Sequence, residues 1–200
     1  MRPTELTALD RQLKFLLELD KLKSVIRQSS LANGSRRENS AEHSWHLVMF
    51  ALVLSGHAEI EVDTDHVVRL LLVHDIVEID AGDFPVHAGG ALKADKEAAE
   101  YVAAERIFGM LPGRQAATFR DLWLEFEAGK SAEARFAKAL DRLQPLMLNI
   151  AVGGGTWTEN NVSEKQVIER YGPVIAAGSV SLWETALKLV QSHFKSMPLS

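Results

Sequence analysis

An all-α fold, a single compact helical bundle of about seven or eight helices filling residues 1–200, is what this sequence predicts. Three observations predict it. Apolar residues recur at three- and four-residue steps through most of the chain, the period of a helix with one buried face. Helix-start signatures recur as well: Asn39 with Glu42, and Ser163 with Gln166, each place a capping side chain three residues before its reciprocal partner. Finally, the β-branched runs sit inside helical periods, so no convincing strand emerges.

Leu6, Leu9, Leu13, Leu16, Leu17 and Leu19 outline a first amphipathic helix that continues towards Ile26. Residues 28–38 are a polar loop with an Asn-Gly turn signal. Asn39 opens a second helix that carries His43 in its first turn and an apolar body from Leu47 to Leu54. Thr64 or Asp65 caps a third, running through Val67 and Leu70–Val73 to His74, Asp75 and Ile79; its near-continuous apolarity makes it central. Residues 81–92, with three glycines and a proline, form a loop beside His74-Asp75. Helices follow over about 93–109 and 115–128, closed by Pro112-Gly113 and by Gly129. Ser131 caps a helix through Phe136, Leu140, Leu143 and Met147. Gly153–Gly155 begin a loop, Ser163 opens a short helix stopping at Gly172-Pro173, and a last helix spans about Ser179 to Phe194.

Composition narrows the function classes. Hydrophobic residues make up 46% and charged residues 24%, the profile of a globular domain. A net charge of −5 argues against a broad nucleic-acid-binding surface. Without cysteine, neither disulfides nor thiolate chemistry is available, and any metal must be held by His, Asp and Glu. The N-terminal stretch lacks the apolar core of a signal peptide. The longest uninterrupted apolar run, Leu47–Leu54, is far short of the roughly 20 residues that span a bilayer. A cytoplasmic protein with no membrane partner is expected.

His43, His74, Asp75 and Asp141 stand out as one constellation. His74-Asp75 is flanked by apolar residues, and an unpartnered buried charge costs several kcal/mol or is neutralised. A divalent cation would satisfy both groups. On a helix the two would lie about 100° apart, close enough to reach one ion. Asp141 sits beside an apolar face in FAKALDRLQPL. Two imidazoles and two carboxylates suit a borderline or hard divalent ion. Spacing alone leaves a second reading open, in which His74 is simply a hydrogen-bonded core residue.

Glu38–His46 (ENSAEHSWH), His74–Asp83 (HDIVEIDAGD) and Phe136–Pro145 (FAKALDRLQP) resemble, in order, the three signature blocks of the HD superfamily of metal-dependent phosphohydrolases. The likeness is closest to the small branch that includes bacterial 5′-deoxynucleotidases, and it covers roughly residues 27–150. It implies a single HD-type domain in which His43, His74, Asp75 and Asp141 hold one divalent metal ion, of the Mn, Co, Mg, Fe, Ni or Zn kind. It also implies catalytic roles for Glu78 and Asp83, which by themselves read as a helix-end acid and a turn residue. Arg27 is the counterpart of a substrate-contacting arginine, while Gln28 replaces the branch's tryptophan beside it, which bears on sugar and base preference.

The activity implied is release of phosphate from (deoxy)nucleoside 5′-monophosphates by water activated at the metal, with Glu78 and Asp83 assisting proton transfer. The partner is then a small phosphorylated substrate. The alternatives are an alarmone pyrophosphohydrolase, where Ile79 stands in place of a second acid, a nucleoside triphosphohydrolase, or a catalytically silent nucleotide-binding module. Arg36, Arg37 and Lys93 read as solvated charges that are also within reach of an anion. Trp45 reads as packing on its helix, His46 as surface or support to the metal ligands, and His87 as a loop residue able to reach substrate. A homodimer through the first and last amphipathic helices is also expected.

Overall fold

Helices dominate the computed structural model, which describes residues 6–83 and 91–196. Among those residues there are ten α-helical segments, two of them single turns, so eight longer helices remain. α1 spans Ala8–Leu19 and starts at Thr7, whose side chain accepts from the backbone of Asp10 while Asp10 answers back. It does not run on to Ile26. A 3₁₀ turn over Asp20–Ser24 ends it, and the chain then becomes extended.

The polar stretch expected as a loop is a short antiparallel ribbon, β1 (Ile26–Ser30) and β2 (Arg37–Asn39). Its register shifts between Ile26 and Ser30, so five residues on one side face three on the other. That irregularity erases the alternation by which a strand is read in sequence. Gly34 turns the ribbon at φ +68°, a conformation that asks for glycine. The ribbon delivers Arg27 to the interior and leads straight into α2 (Ser40–Leu54), capped reciprocally by Asn39 and Glu42.

α3 (Thr64–Val73) is capped by Asp63, one residue before the expected caps. It ends sooner than its apolar run implies. From His74 the backbone tightens into successive turns, with Ile76 N–H donating to Val73 and Glu78 N–H to Asp75, before the single turn α4 (Glu78–Ala81). His74 and Asp75 therefore sit in a turn after a helix, not on its side. Residues 84–90, His87 among them, and the side chain of Lys93 lie outside the described residues.

α5 (Ala91–Phe108) and α6 (Gly113–Ala128) follow, the latter closed by Gly129 in the left-handed region. α7 (Ala132–Ala151) is the axis of the fold. Ser131 caps it, and its buried face includes Phe136, Ala137, Leu140, Leu143 and Leu146. Leu47, Ala51, Val67, Leu70 and Leu71 of α2 and α3 pack against its first half. Its second half meets α8 (Thr156–Glu159), α9 (Glu164–Gly178) and α10 (Val180–Ser196) through Trp157, Val167, Ile175, Ala186 and Val190. α1, α5 and α6 close a third cluster around Phe15, Ile107, Phe108 and Trp123.

α9 runs through Gly172-Pro173 rather than stopping there. The Trp183 ring lies against Gly172, so close that a Cβ would meet it at 2.7 Å, and Ile175 beyond the proline is fully buried. Packing on α7 and α10 thus overrides the local stop signal.

Candidate metal centre

Three separate parts of the chain meet at one point. The first turn of α2 supplies His43, the turn after α3 supplies His74 and Asp75, and the middle of α7 supplies Asp141. One ligand atom each from His43, His74 and Asp141 lies within 4.8 Å of the others. His43 Nε2 is 3.0 Å from Asp141 Oδ1, and His74 Nε2 is 3.8 Å from the same oxygen. Asp75 closes the group from the side, with Oδ1 3.0 Å from His74 Nε2 and Oδ2 3.9 Å from His43 Nε2.

The donor set fits a cation. His74 Nδ1 bonds the carbonyl of Leu71 at 2.8 Å and can only donate there, so the proton sits on Nδ1 and Nε2 is left as a lone pair. That Nε2 is buried, lies beside two carboxylates, and has no hydrogen-bond partner. A lone pair aimed at anionic oxygens is repulsive until something positive stands between them. Acid also exceeds base around it: Glu38, Asp75, Glu78, Asp83 and Asp141 gather near Arg27 and the two imidazoles.

Arg27 is the largest cation of the described site. Its Nη1 donates to Asp75 Oδ2 at 2.8 Å, and lies 3.6 Å from both Glu78 Oε1 and Asp83 Oδ1. Burial alone would lower its pKa, but Asp75, Glu78, Asp83 and Asp141 outweigh that and raise it. Glu78 is buried, not a solvated helix-end acid; its Oε2 accepts from Ser40 Oγ at 2.6 Å. Desolvation and the neighbouring Asp75 hold its pKa well above the ordinary range against the pull of Arg27. Asp83 is raised as well, by burial first and Asp75 after Arg27 opposes it, and its Oδ2 accepts the backbone N–H of Gln28 at 3.2 Å.

A proton competes with a cation for these lone pairs, because the same carboxylates push both imidazoles towards the charged form. Burial and Arg27 lower His43, yet Asp141, Glu38 and Asp75 outweigh them; burial lowers His74, and Asp75 and Asp141 outweigh it. Burial would raise Asp141, but the two histidines drive it well below the usual carboxylate range.

Several expected residues take other parts. Arg36 forms a two-point pair with Glu42, and Arg37 binds Gln28 and Glu159, so both lie outside the cluster. Trp45 stacks on the neighbouring His46 ring of its own helix, with 64% of its surface exposed. Asp80, an acid of the same stretch that no pattern selects, pairs with Arg106 on the surface. His46 Nδ1 accepts from the buried amide of Gln144 at 3.2 Å, which places it behind His43.

Three participants were not singled out from the sequence. Gln144 lies one helical turn after Asp141, a spacing that puts both on one face. Glu38 heads the first signature block, and Lys96, paired with Glu100 at 3.2 Å, is close enough to feel Glu78 and Asp75. A lysine in the alanine-rich start of α5 carries no sequence signal of that placement.

The sequence profile of the family described as HD domain matches residues 19–183. A human protein named 5′-deoxynucleotidase HDDC2 is 32% identical over 136 residues, covering 68% of this chain. The matching segment spans just under two thirds, 65%, of that human relative. A Dictyostelium discoideum protein of the same name is 28% identical over 141 residues, covering 68% of this chain and 74% of its own length. Among solved structures, a predicted metal-dependent phosphohydrolase from Magnetospirillum magnetotacticum MS-1 superposes with a TM-score of 0.87 at 47% identity, over 94% of this chain and 96% of its own. A Pyrococcus horikoshii OT3 protein shares the fold alone, with a TM-score of 0.64 at 19% identity over 88% and 99% of the two chains.

Proposed function

This chain belongs to the HD-domain family, and from that premise we propose that it is a metal-dependent phosphohydrolase that releases phosphate from deoxynucleoside 5′-monophosphates. The observation that carries the reading is the buried His74 Nε2, unpartnered and facing Asp75 and Asp141 beside the guanidinium of Arg27. Relatives named 5′-deoxynucleotidase support the substrate class.

His43, His74, Asp75 and Asp141 would hold the ion. A divalent cation there supplies Lewis-acid charge and makes a coordinated water acidic enough to act as a nucleophile near neutral pH. Arg27 binds the phosphate: its guanidinium already sits among carboxylates, and a phosphate offers it the same kind of two-point acceptor. Glu78 holds a proton on Oε1, since Oε2 is taken by Ser40, and gives that proton to the departing 5′-oxygen. Asp83, anchored by the backbone N–H of Gln28, orients the attacking water and accepts the proton that water loses, and exchange with solvent returns both acids to their starting states. The products are a nucleoside and inorganic phosphate.

We further read residues 1–200 as one HD-type domain acting in the cytoplasm as a homodimer. Two exposed apolar surfaces support the dimer: Leu9, Leu13, Leu16 and Leu17 on α1, and a groove of about 440 Å³ between α2, α7 and α10 rimmed by Met49, Met147 and Leu189.

The test is phosphate release from ribo- and deoxyribonucleoside 5′-monophosphates by chelator-stripped protein resupplied with Mn²⁺, Co²⁺, Mg²⁺ or Zn²⁺, with Asp75→Ala alongside. Metal-dependent release, lost in the variant, is the expected result. No release with any metal would overturn the reading. Gln28, exposed where the branch has tryptophan, makes the sugar preference the informative comparison within the panel.

A further inference from the structure

We infer that Gln144 is a positioning residue for the metal site: anchored by Glu38 and His46, its amide fixes a proton on His43 Nδ1 and turns the Nε2 lone pair of His43 towards the cation. This rests on His43 being a metal ligand, as proposed above. It goes further by naming what sets that ligand's tautomer.

Gln144 is completely buried, and each of its polar atoms is engaged. Nε2 lies 2.9 Å from Glu38 Oε2 and 3.2 Å from His46 Nδ1, while Oε1 lies 3.1 Å from His43 Nδ1. An amide has two N–H donors on one atom and only acceptor capacity on the other. The carboxylate of Glu38 can only accept, so Nε2 must face it. Turning the amide over would press Oε1 against Glu38 and Nε2 against His43. With Nε2 committed to Glu38 and His46, Oε1 is the atom offered to His43, and only a protonated Nδ1 can use it.

α7 therefore faces the His43 ring at both nitrogens from positions one turn apart: Gln144 Oε1 accepts from Nδ1, and Asp141 Oδ1 stands 3.0 Å from Nε2, where the two would donate to the same cation. Glu38, 2% exposed, is the anchor of the arrangement. Its second oxygen lies 3.5 Å from His43 Nδ1 and 3.8 Å from Arg27 Nε, so one buried acid faces both the imidazole and the guanidinium. A partner that orients a ligating imidazole typically changes metal affinity about 10–100-fold when removed.

The experiment uses full-length protein and zinc alone. Histidine-labelled, zinc-loaded wild type is examined by long-range ¹H–¹⁵N correlation, with the His43 signals identified by their loss in His43→Asn. The expected pattern is a protonated Nδ1 and an unprotonated Nε2 on His43; zinc on Nδ1, or a proton on Nε2, would overturn the inference. Zinc affinity is then measured by competition with a chromogenic chelator for wild type, Gln144→Met and Asp141→Ala. Gln144→Met keeps the side chain's length and loses its polarity, and its dissociation constant should rise roughly 10–100-fold. An unchanged affinity in Gln144→Met, with Asp141→Ala impaired, overturns the positioning role and leaves the metal site intact. Wild type that fails to bind zinc overturns the metal reading itself. Should Gln144→Met not fold, the wild-type spectrum still decides.

Discussion

Arg27 Nη1 donates to Asp75 Oδ2 at 2.8 Å, so the cation proposed to bind phosphate is held in place by a carboxylate proposed to bind metal. Each group keeps the other's charge tolerable in a buried setting. Replacing Arg27 by Ala removes the phosphate partner and leaves Asp75, Glu78 and Asp83 without their shared counter-ion. We expect kcat/KM to fall more than roughly 100-fold, since a charge-assisted hydrogen bond is worth about 1.5–3 kcal/mol and more is lost here than one bond. Arg27→Lys should recover only part of the loss, because an ammonium cannot reproduce the fork of a guanidinium. Steady-state kinetics on a nucleoside monophosphate check both; full activity in Arg27→Lys would contradict the two-point role.

Glu78 should trade stability for activity. Its folded pKa is raised above the unfolded value of about 4.5, so the native state binds the extra proton more tightly than the unfolded chain. Native stability therefore falls as pH rises from the unfolded value towards the folded one. Glutamine keeps an acceptor for Ser40 Oγ and has no charge to desolvate. In chelated protein, Glu78→Gln should match wild type below the unfolded value of about 4.5 and become progressively more stable than it as pH rises above that value, by urea denaturation, while losing turnover. A gap that narrows with pH would mean that burial is not what raises Glu78.

Metal removal should be visible without any substrate. A ligand that binds only the folded state at about 100 times its dissociation constant contributes roughly 2.7 kcal/mol. For a chain of this size that raises Tm by roughly 5–10 °C. Adding EDTA should reverse the shift in a thermal melt. His74→Ala should show no shift at all, since it deletes a buried nitrogen of the site that has no other hydrogen-bond partner.

The fold was legible where one helix face is buried and illegible where tertiary contacts decide. Asn39–Glu42 and Ser163–Gln166 are read from four-residue patterns because capping is local chemistry. The ribbon over Ile26–Asn39 is not, because its strands are short, polar and out of register. The site divides in the same way. His43, His74, Asp75 and Asp141 were identifiable as residue types, and the structure brings them together. The burial of Glu78 and the bracketing of His43 by Gln144 depend on how α2, α4 and α7 meet, which no sequence window contains.

The leucines of α1 should carry self-association. Leu13 and Leu17 are one turn apart, 52% and 74% exposed, while the inward contact of that helix is made by Phe15. Leu13→Glu with Leu17→Glu should convert a dimer to a monomer by light scattering with little change in metal affinity. A wild-type monomer would exclude this surface as an interface.

Gly178 offers a test of the scaffold apart from the chemistry. It ends α9 where that helix crosses α7, and a Cβ there would stand 2.5 Å from the carbonyl oxygen of Arg135 and 2.6 Å from Ala139 Cβ. Neither obstacle is the end of a flexible side chain, so α9 must lift away from α7. Overpacking of this kind costs about 1–3 kcal/mol. Gly178→Ala should therefore lower Tm by several degrees, with Ala139→Gly in the same chain relieving part of the loss. Because Arg135 and Ala139 lie six and two residues before Asp141 on the same helix, any shift of α7 would also reach the metal centre. Zinc affinity in the variant then separates two cases: unchanged affinity means α9 moved, and weakened affinity means α7 did.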